Sequence, residues 1–231
     1  MLTLILTRHG LTPRSDPEQH LGQRIDIELS AQGQAQAVAL AVRLEDVRFE
    51  RIFTSPLVRA RETAAIIAKR SPGKPPIEAD PRLREMDYGH WEGLTYPQID
   101  ARDRVERQRW EADPASTKCP GGESGNDVAV RVTSFLTDLL ATHQAHAADG
   151  AGAGSEAAER PVLVVAHSSL NRILVCVALG IEIREFRLRL QQSQANLTAL
   201  RFEHGSGAGD ARLILLNDLA HLRRPPKTPW E

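Results

Sequence analysis

Thr7-Arg8-His9-Gly10-Leu11-Thr12 follows the apolar run Leu2-Thr3-Leu4-Ile5-Leu6. The run reads as a buried strand. A strand that ends in Arg-His-Gly sets a cation and an imidazole at the carboxyl end of a sheet, where open α/β sheets bind ligands. A guanidinium grips phosphate oxygens two at a time. An imidazole is largely neutral near pH 7 and can attack phosphorus without a strong base to activate it. Gly10 lets backbone approach a ligand closely. A strand end with an incidental histidine is the alternative reading of the same six residues.

Three further segments carry compatible groups. Ser55-Pro56-Leu57-Val58-Arg59-Ala60-Arg61-Glu62-Thr63-Ala64 follows a second apolar strand, Arg51-Ile52-Phe53-Thr54. Ser55 suits an N-cap and Pro56 the first helical position. Arg59 then falls near the positive end of a helix dipole. Leu83-Arg84-Glu85-Met86-Asp87-Tyr88-Gly89-His90-Trp91-Glu92-Gly93 offers the Glu85 carboxylate in a glycine-punctuated loop. Val162-Leu163-Val164-Val165-Ala166-His167-Ser168-Ser169 repeats the opening theme of buried strand, histidine and helix start. Two strand-end histidines, two arginines and one carboxylate suffice for a phosphoryl-transfer site. Each also has a plain structural reading. Arg59 can pair with Glu62 on a helix surface, Glu85 can be a solvated loop acid, and His167 a satisfied core histidine.

Taken in order, these segments resemble the histidine phosphatase superfamily, in the branch that holds the cofactor-dependent phosphoglycerate mutases and many small-molecule phosphatases. The resemblance rests on Arg8-His9-Gly10, on Ser55-Pro56-Leu57 with Arg59-Ala60 and Thr63-Ala64, and on Glu85 with Tyr88-Gly89 and Trp91-Glu92-Gly93. Gly121-Gly122-Glu123-Ser124 and Ala166-His167 complete it. It implies a three-layer α/β/α sandwich with a mostly parallel sheet and an antiparallel edge strand. It also implies a metal-independent phosphomonoesterase acting on a small phosphorylated metabolite, with no cofactor. On that resemblance His9 is the nucleophile and forms phosphohistidine. Arg8, Arg59 and a protonated His167 clamp the phosphoryl oxygens. Glu85 gives a proton to the leaving alcohol and takes one from water. The substrate-binding candidates are Arg8, Thr12, Ser15, Gln23, Arg24, Arg59, Tyr88 and Ser168. The alternatives are a 2,3-bisphosphoglycerate-dependent phosphoglycerate mutase and a non-catalytic binder of phosphorylated ligands. A binder needs neither His9 nor Glu85, so the presence of both favours an enzyme.

The chain departs from the family pattern at several places. Leu11 stands where relatives often carry Glu or Gln, and Ser168-Ser169 where many carry Gly-Gly or Gly-Asn. Gly22-Gln23-Arg24-Ile25-Asp26, followed by Leu29-Ser30, leaves the register of a Gly-Arg-x-Asp turn open by one. Tyr96 falls where the mutases have a lysine, Ser15 replaces a mutase asparagine, and 100–118 holds no adjacent Arg-Arg pair.

Composition is consistent with one α/β unit. The 231 residues carry a net charge of −1, which gives no electrostatic case for nucleic acid or an acidic membrane as partner. A homodimer is left open. Aromatic residues are only 4%, so Leu, Val, Ile and Ala must fill the core. The two cysteines, Cys119 and Cys176, have neither disulfide nor metal spacing. The opening apolar run is too short for a signal peptide, and no stretch reaches membrane-spanning length. A cytoplasmic location is expected.

The remaining pattern predicts a helix from Ser30 to about Asp46 with Ala35, Val38, Ala39, Val42 and Leu44 toward the core. It predicts a short strand at Ile77-Glu78-Ala79. A charged helical segment within 94–122 is the expected cap, and one of Arg102, Arg104, Arg107 and Arg109 could reach a second anionic group on the substrate. A long helix runs from Ser124 to about His146, with Val128, Val132, Phe135, Leu136 and Leu139 inward. Its His143 and His146 read as exposed helix-end residues rather than metal ligands. Residues 147–160 read as a flexible linker whose Gly-Ala repeats lack a dinucleotide motif's preceding strand. Two strand-like runs, 195–202 and 212–216, form a hairpin across a Gly-rich loop, and 217–231 is a tail. The whole is expected to be a single domain, 1–231.

Overall fold

Leu2, Leu4 and Leu6 lie on one face of strand β1 (Leu2–Arg8) and are buried, as the two-residue repeat of a strand requires. The computed structural model describes residues 1–149 and 160–222. Within them, β1 is followed by α1 (Ala31–Arg43), β2 (Ile52–Thr54), α2 (Val58–Arg70), β3 (Ile77–Ala79), α3 (Tyr96–Ala112) and α4 (Gly125–Asp149). Then come β4 (Val162–Ala166), α5 (Ser168–Leu179), α6 (Phe186–Arg189), β5 (Leu197–Phe202) and β6 (Arg212–Asp218).

The six strands form one sheet in the order β3-β2-β4-β1-β5-β6. β1, β2, β3 and β4 pair in parallel, while β5 pairs antiparallel with both β1 and β6. The sheet is therefore mostly parallel with an antiparallel edge, as expected. The reversed strand is β5, one place inside that edge. α1 and α2 cover one face through Leu40, Ala60, Ala64 and Ile67, against Ile52, Leu163 and Val165. α4 and α5 cover the other through Val128, Val132, Phe135, Leu170 and Leu174, against Leu4, Leu6 and Val164. All five residues of β4 are buried, which explains why its sequence runs apolar without alternation.

Several local expectations need correction. α1 begins as expected at an N-cap Ser30, whose Oγ accepts from the Gly33 amide. Its buried face, however, is Gly33, Ala37, Leu40 and Ala41; Val38 and Val42 are exposed at 41% and 45%. The helix is turned by close packing. A Cβ on Gly33 would strike the Leu11 carbonyl, and one on Gly10 would strike Gly33. Small residues, not the bulkiest apolar ones, set this face. The absence of a side chain at Gly10 thus permits its contact with α1.

α2 starts two residues later than expected. Its N-cap is Leu57, and Ser55 Oγ instead accepts from the Leu57 amide before the helix begins. α4 continues to Asp149, into the expected linker; the rest of that linker, 150–159, lies outside the described residues. Asn217 and Asp218 complete β6 rather than opening a tail, and Leu222 packs near the α1–α2 core. Residues 223–231 lie outside the described part, as does the side chain of His146. His143 is not a free surface group: its Nε2 lies 2.9 Å from the Met1 carbonyl, and Nδ1 is 3.8 Å from Glu50. No helix among the described residues is long and apolar enough to cross a membrane.

Sheet register brings the loops of interest together. Arg8 pairs with Ala166 across β1 and β4. The next amide, His9 N, donates to the Ala166 carbonyl at 3.0 Å, and Ser55 N donates to the Val165 carbonyl at 3.0 Å. The chain segments leaving β1, β4 and β2 therefore emerge side by side at one end of the sheet.

Candidate active site

His9 and His167 stand first beyond β1 and β4, and both are buried, at 4% and 0% exposure. The Nδ1 of His9 lies 2.7 Å from the Gly10 carbonyl oxygen. A carbonyl only accepts, so Nδ1 carries the proton and Nε2 keeps its lone pair. Burial, then Arg59 and Arg8, hold the His9 pKa well below the ordinary imidazole value. His9 is neutral at pH 7 and has the tautomer of a nucleophile.

His167 differs. Neither of its ring nitrogens has a partner among the described residues. Burial, Arg59, His9 and Arg8 push its pKa well below the ordinary value. Two guanidinium groups and a dry setting disfavour a third cation at His167.

Arg8 and Arg59 flank the histidines. Arg8 donates Nη1 to the Gln192 carbonyl at 3.2 Å and sits 3.5 Å from the exposed Glu18 carboxylate. Its own amide donates to Asn196 Oδ1 at 3.1 Å. Arg59 is 1% exposed and does not pair with Glu62. It donates to the carbonyls of Ile25 and Gly22 at 3.0 and 2.8 Å, and Glu62 instead accepts from the Leu29 amide. The Nε atoms of both arginines are buried without a partner. Buried polar atoms are rarely left so.

Glu85 is no solvated loop acid. It is 7% exposed, and its carboxylate accepts from the amides of Met86, Ser169 and Leu170 at 2.8, 3.3 and 3.1 Å. Two of those amides open α5, so the carboxylate caps the positive end of that helix. Tyr88 shares a 2.7 Å hydrogen bond with the Ser169 hydroxyl.

One pocket is lined by Arg8, His9, Ser15, Arg59, Glu85, Tyr88 and Ser168 together. His167 does not line it, but its ring is 5.2 Å from that of His9. Thr12 does not line it and instead bonds to Ser15 through its amide and hydroxyl. Gln23 and Arg24 do not line it either. Their amides donate to the Glu92 carboxylate at 2.9 and 2.8 Å, and Gln23 Nε2 donates to the Glu85 carbonyl at 2.8 Å. These two brace the turn that supplies the Gly22 carbonyl to Arg59 and hold the Glu85 loop. None of Arg102, Arg104, Arg107 and Arg109 lines the pocket. Arg107 is spent on Asp100 and Glu111, and Arg102 on Asp103 and the His90 carbonyl. From α3 only Tyr96 reaches it.

Nothing in the sequence pattern marks Arg14, His20 or Arg187, which also line the pocket, whereas Tyr96 stands out only as the replacement of a mutase lysine. Arg172 had a signal: it lies one helical turn beyond Ser168 on α5 and so shares its face. Among the described residues no group of three or more His, Cys, Asp or Glu is placed to hold a metal ion. Chemically, the pocket joins a neutral imidazole, two arginines whose Nε atoms have no partner and a carboxylate in one cleft.

Comparison with known proteins gives a consistent picture. The sequence model of the histidine phosphatase superfamily (branch 1) matches residues 4–213. A glucosyl-3-phosphoglycerate phosphatase of Mycolicibacterium vanbaalenii is 38% identical over 180 residues, which is 78% of this chain and 75% of that protein. Phosphoserine phosphatase 1 of Hydrogenobacter thermophilus is 28% identical over 186 residues, 80% of each. The structure of a mycobacterial glucosyl-3-phosphoglycerate phosphatase with VO3 superposes with a TM-score of 0.80 at 31% identity, over 94% of this chain and 99% of that one.

Proposed function

The chain belongs to branch 1 of the histidine phosphatase superfamily and is a phosphomonoesterase of that family; we propose that it works through a phosphohistidine on His9, without a metal ion, on a small phosphorylated metabolite. The observation that supports this reading is that Arg8, His9 and Arg59 line one pocket with the His167 ring 5.2 Å from that of His9, while Arg8 Nε, Arg59 Nε and both nitrogens of His167 are buried without a partner.

In the first step His9 Nε2 attacks phosphorus and the bond from phosphorus to the ester oxygen breaks. Glu85, in its acid form, passes its proton to the departing alkoxide. Arg8, Arg59 and His167 face the phosphoryl oxygens. An anion there reverses the balance that keeps His167 neutral, so the ring takes up a proton as the phosphoryl group binds. In the second step the Glu85 carboxylate takes a proton from water, which attacks phosphorus. The P–N bond breaks, phosphate leaves and the His9 lone pair is restored. The arginines are fixed in place by backbone carbonyls, so their charge needs little reorganisation at the transition state. That supply of positive charge is why the mechanism requires no metal.

We further place the chain, 1–231, in one domain whose α3 segment reaches the pocket through Tyr96, and assign it to the cytoplasm, consistent with two buried free cysteines. The test is phosphate release from p-nitrophenyl phosphate and from a metabolite panel that starts with glucosyl-3-phosphoglycerate and phosphoserine, with and without EDTA. Turnover is expected to persist in EDTA. Loss in EDTA with recovery on adding a divalent ion overturns the metal-free mechanism.

A further inference from the structure

Two arginines of the pocket have no place in the phosphoryl chemistry. Arg172 projects from α5 and Arg187 from α6, and both line the same cleft as His9. Neither takes part in an ion pair among the described residues. Arg172 makes no hydrogen bond there, and its Nε is buried without a partner. Arg187 is held only by neutral groups. Its guanidinium carbon lies 4.2 Å from the centroid of the Trp110 ring, and Nη2 donates to the Tyr96 hydroxyl at 3.2 Å. Stacking on an aromatic face fixes a guanidinium plane without cancelling its charge.

The acids of the pocket are already engaged. Glu85 accepts from the start of α5, and Glu18 lies against Arg8. His20, also in the pocket, is held neutral by burial, its pKa falling to about 4. Arg172 itself is pulled below the ordinary guanidinium value, first by burial and then in part by Arg8 and Arg187. Half-buried positive charge without a direct ion-pair partner is costly for a protein to keep, and its common use is to receive an anion.

We infer that Arg172 and Arg187 form a second anion subsite, which takes a carboxylate carried by the same molecule whose phosphoryl group meets His9. A planar two-oxygen acceptor matches two guanidinium forks. A second phosphate would call on backbone amides as well, and those at the start of α5 belong to Glu85. This rests on the phosphatase reading for the position of the phosphoryl group. It makes the preferred substrate a phosphorylated carboxylic acid.

The test uses binding, so it does not depend on turnover. Phosphonates bearing a carboxylate two to five carbons away are compared by calorimetry with alkylphosphonates of the same length, for the wild type and for Arg172→Gln and Arg187→Gln. At one or more spacings the carboxylate should tighten wild-type binding by about tenfold or more, and each variant should bring that ratio close to one. Because the ratio is internal to each variant, a general loss of affinity does not mimic the result. Absence of any carboxylate preference in the wild type, or its survival in both variants, overturns the inference. Failure of the phosphatase reading shows elsewhere, as no phosphate release from p-nitrophenyl phosphate.

Discussion

The rings of His9 and His167 meet edge to face with their centroids 5.2 Å apart, each at the end of one of two neighbouring parallel strands. Their chemical difference comes from the backbone. The Gly10 carbonyl fixes the proton of His9 on Nδ1, whereas no group fixes one on His167. The first ring is set to give electrons and the second is free to accept a proton.

Replacing His9 with alanine should lower turnover by at least about a thousandfold, as expected when a nucleophile is removed. The protein should keep its far-ultraviolet circular dichroism, because His9 lies beyond the last residue of β1. Labelled substrate should leave an acid-labile, base-stable phosphoenzyme on the wild type alone. Near-normal activity in His9→Ala would remove His9 from the mechanism.

Binding of inorganic phosphate near pH 7 should draw protons from solution. His167 is neutral before binding, since burial, Arg59, His9 and Arg8 depress its pKa, and an oxyanion beside it favours the protonated ring. Calorimetry in buffers of different ionisation enthalpy reads the uptake, up to about one proton for one titrating imidazole. His167→Gln should reduce it. An uptake unchanged in that variant assigns the proton to another group.

Stability should fall on acidification below pH 6.5. His20 is buried between Tyr88 and Tyr96, with ring centroids 4.6 and 4.7 Å away, and its pKa drops from 6.5 to about 4, mainly through burial. Between those values the unfolded chain binds a proton that the folded chain refuses, so folding weakens as pH falls. The His20 share is on the order of 3 kcal/mol across that window; His9 and His167 act in the same direction. Urea unfolding from pH 7 to 4.5 measures the slope, and His20→Phe should flatten it. Identical slopes for the two proteins would show that His20 does not contribute.

Phosphate release should exceed phosphoglycerate mutase activity. A mutase must keep its phosphoryl group from water, yet α3 brings only Tyr96 to the pocket, and Arg102 and Arg107 are tied down elsewhere. Isomerisation of 3-phosphoglycerate in the presence of 2,3-bisphosphoglycerate, measured beside hydrolysis of the metabolite panel, decides the matter. Efficient isomerisation with negligible hydrolysis would promote the mutase alternative.

What the sequence made legible were groups fixed by strand ends. Arg8, His9 and His167 adjoin apolar runs whose burial is plain from composition, so their placement follows from the sheet. Glu85 and Arg59 were legible through the resemblance, although their individual patterns also fit surface ion pairing. The inward face of α1 was not legible, because Gly33, Ala37 and Ala41 have too little apolar surface to register as a periodic signal and act by permitting close approach. Gln23 and Arg24 fall in the right neighbourhood, but their amides turn to Glu92 and their side chains reach the Glu85 and Gly121 carbonyls, an arrangement that local sequence does not choose over one facing the cleft. Arg187 could not be foreseen, because its place depends on Trp110 and Tyr96 of a different helix.

β1 is the first strand of the chain, yet it lies between two of the later ones, β4 and β5. The Arg8 amide and guanidinium are bound to Asn196 and to the Gln192 carbonyl. During synthesis, then, Arg8 and His9 leave the ribosome well before the residues that hold Arg8. A nascent chain stopped anywhere before residue 196 has His9 but lacks the strand β5 and the Asn196 side chain that hold Arg8. A chain halted there should therefore hydrolyse p-nitrophenyl phosphate far more slowly than one that has added β5 and β6, since a loosely held guanidinium must be ordered anew at each transition state.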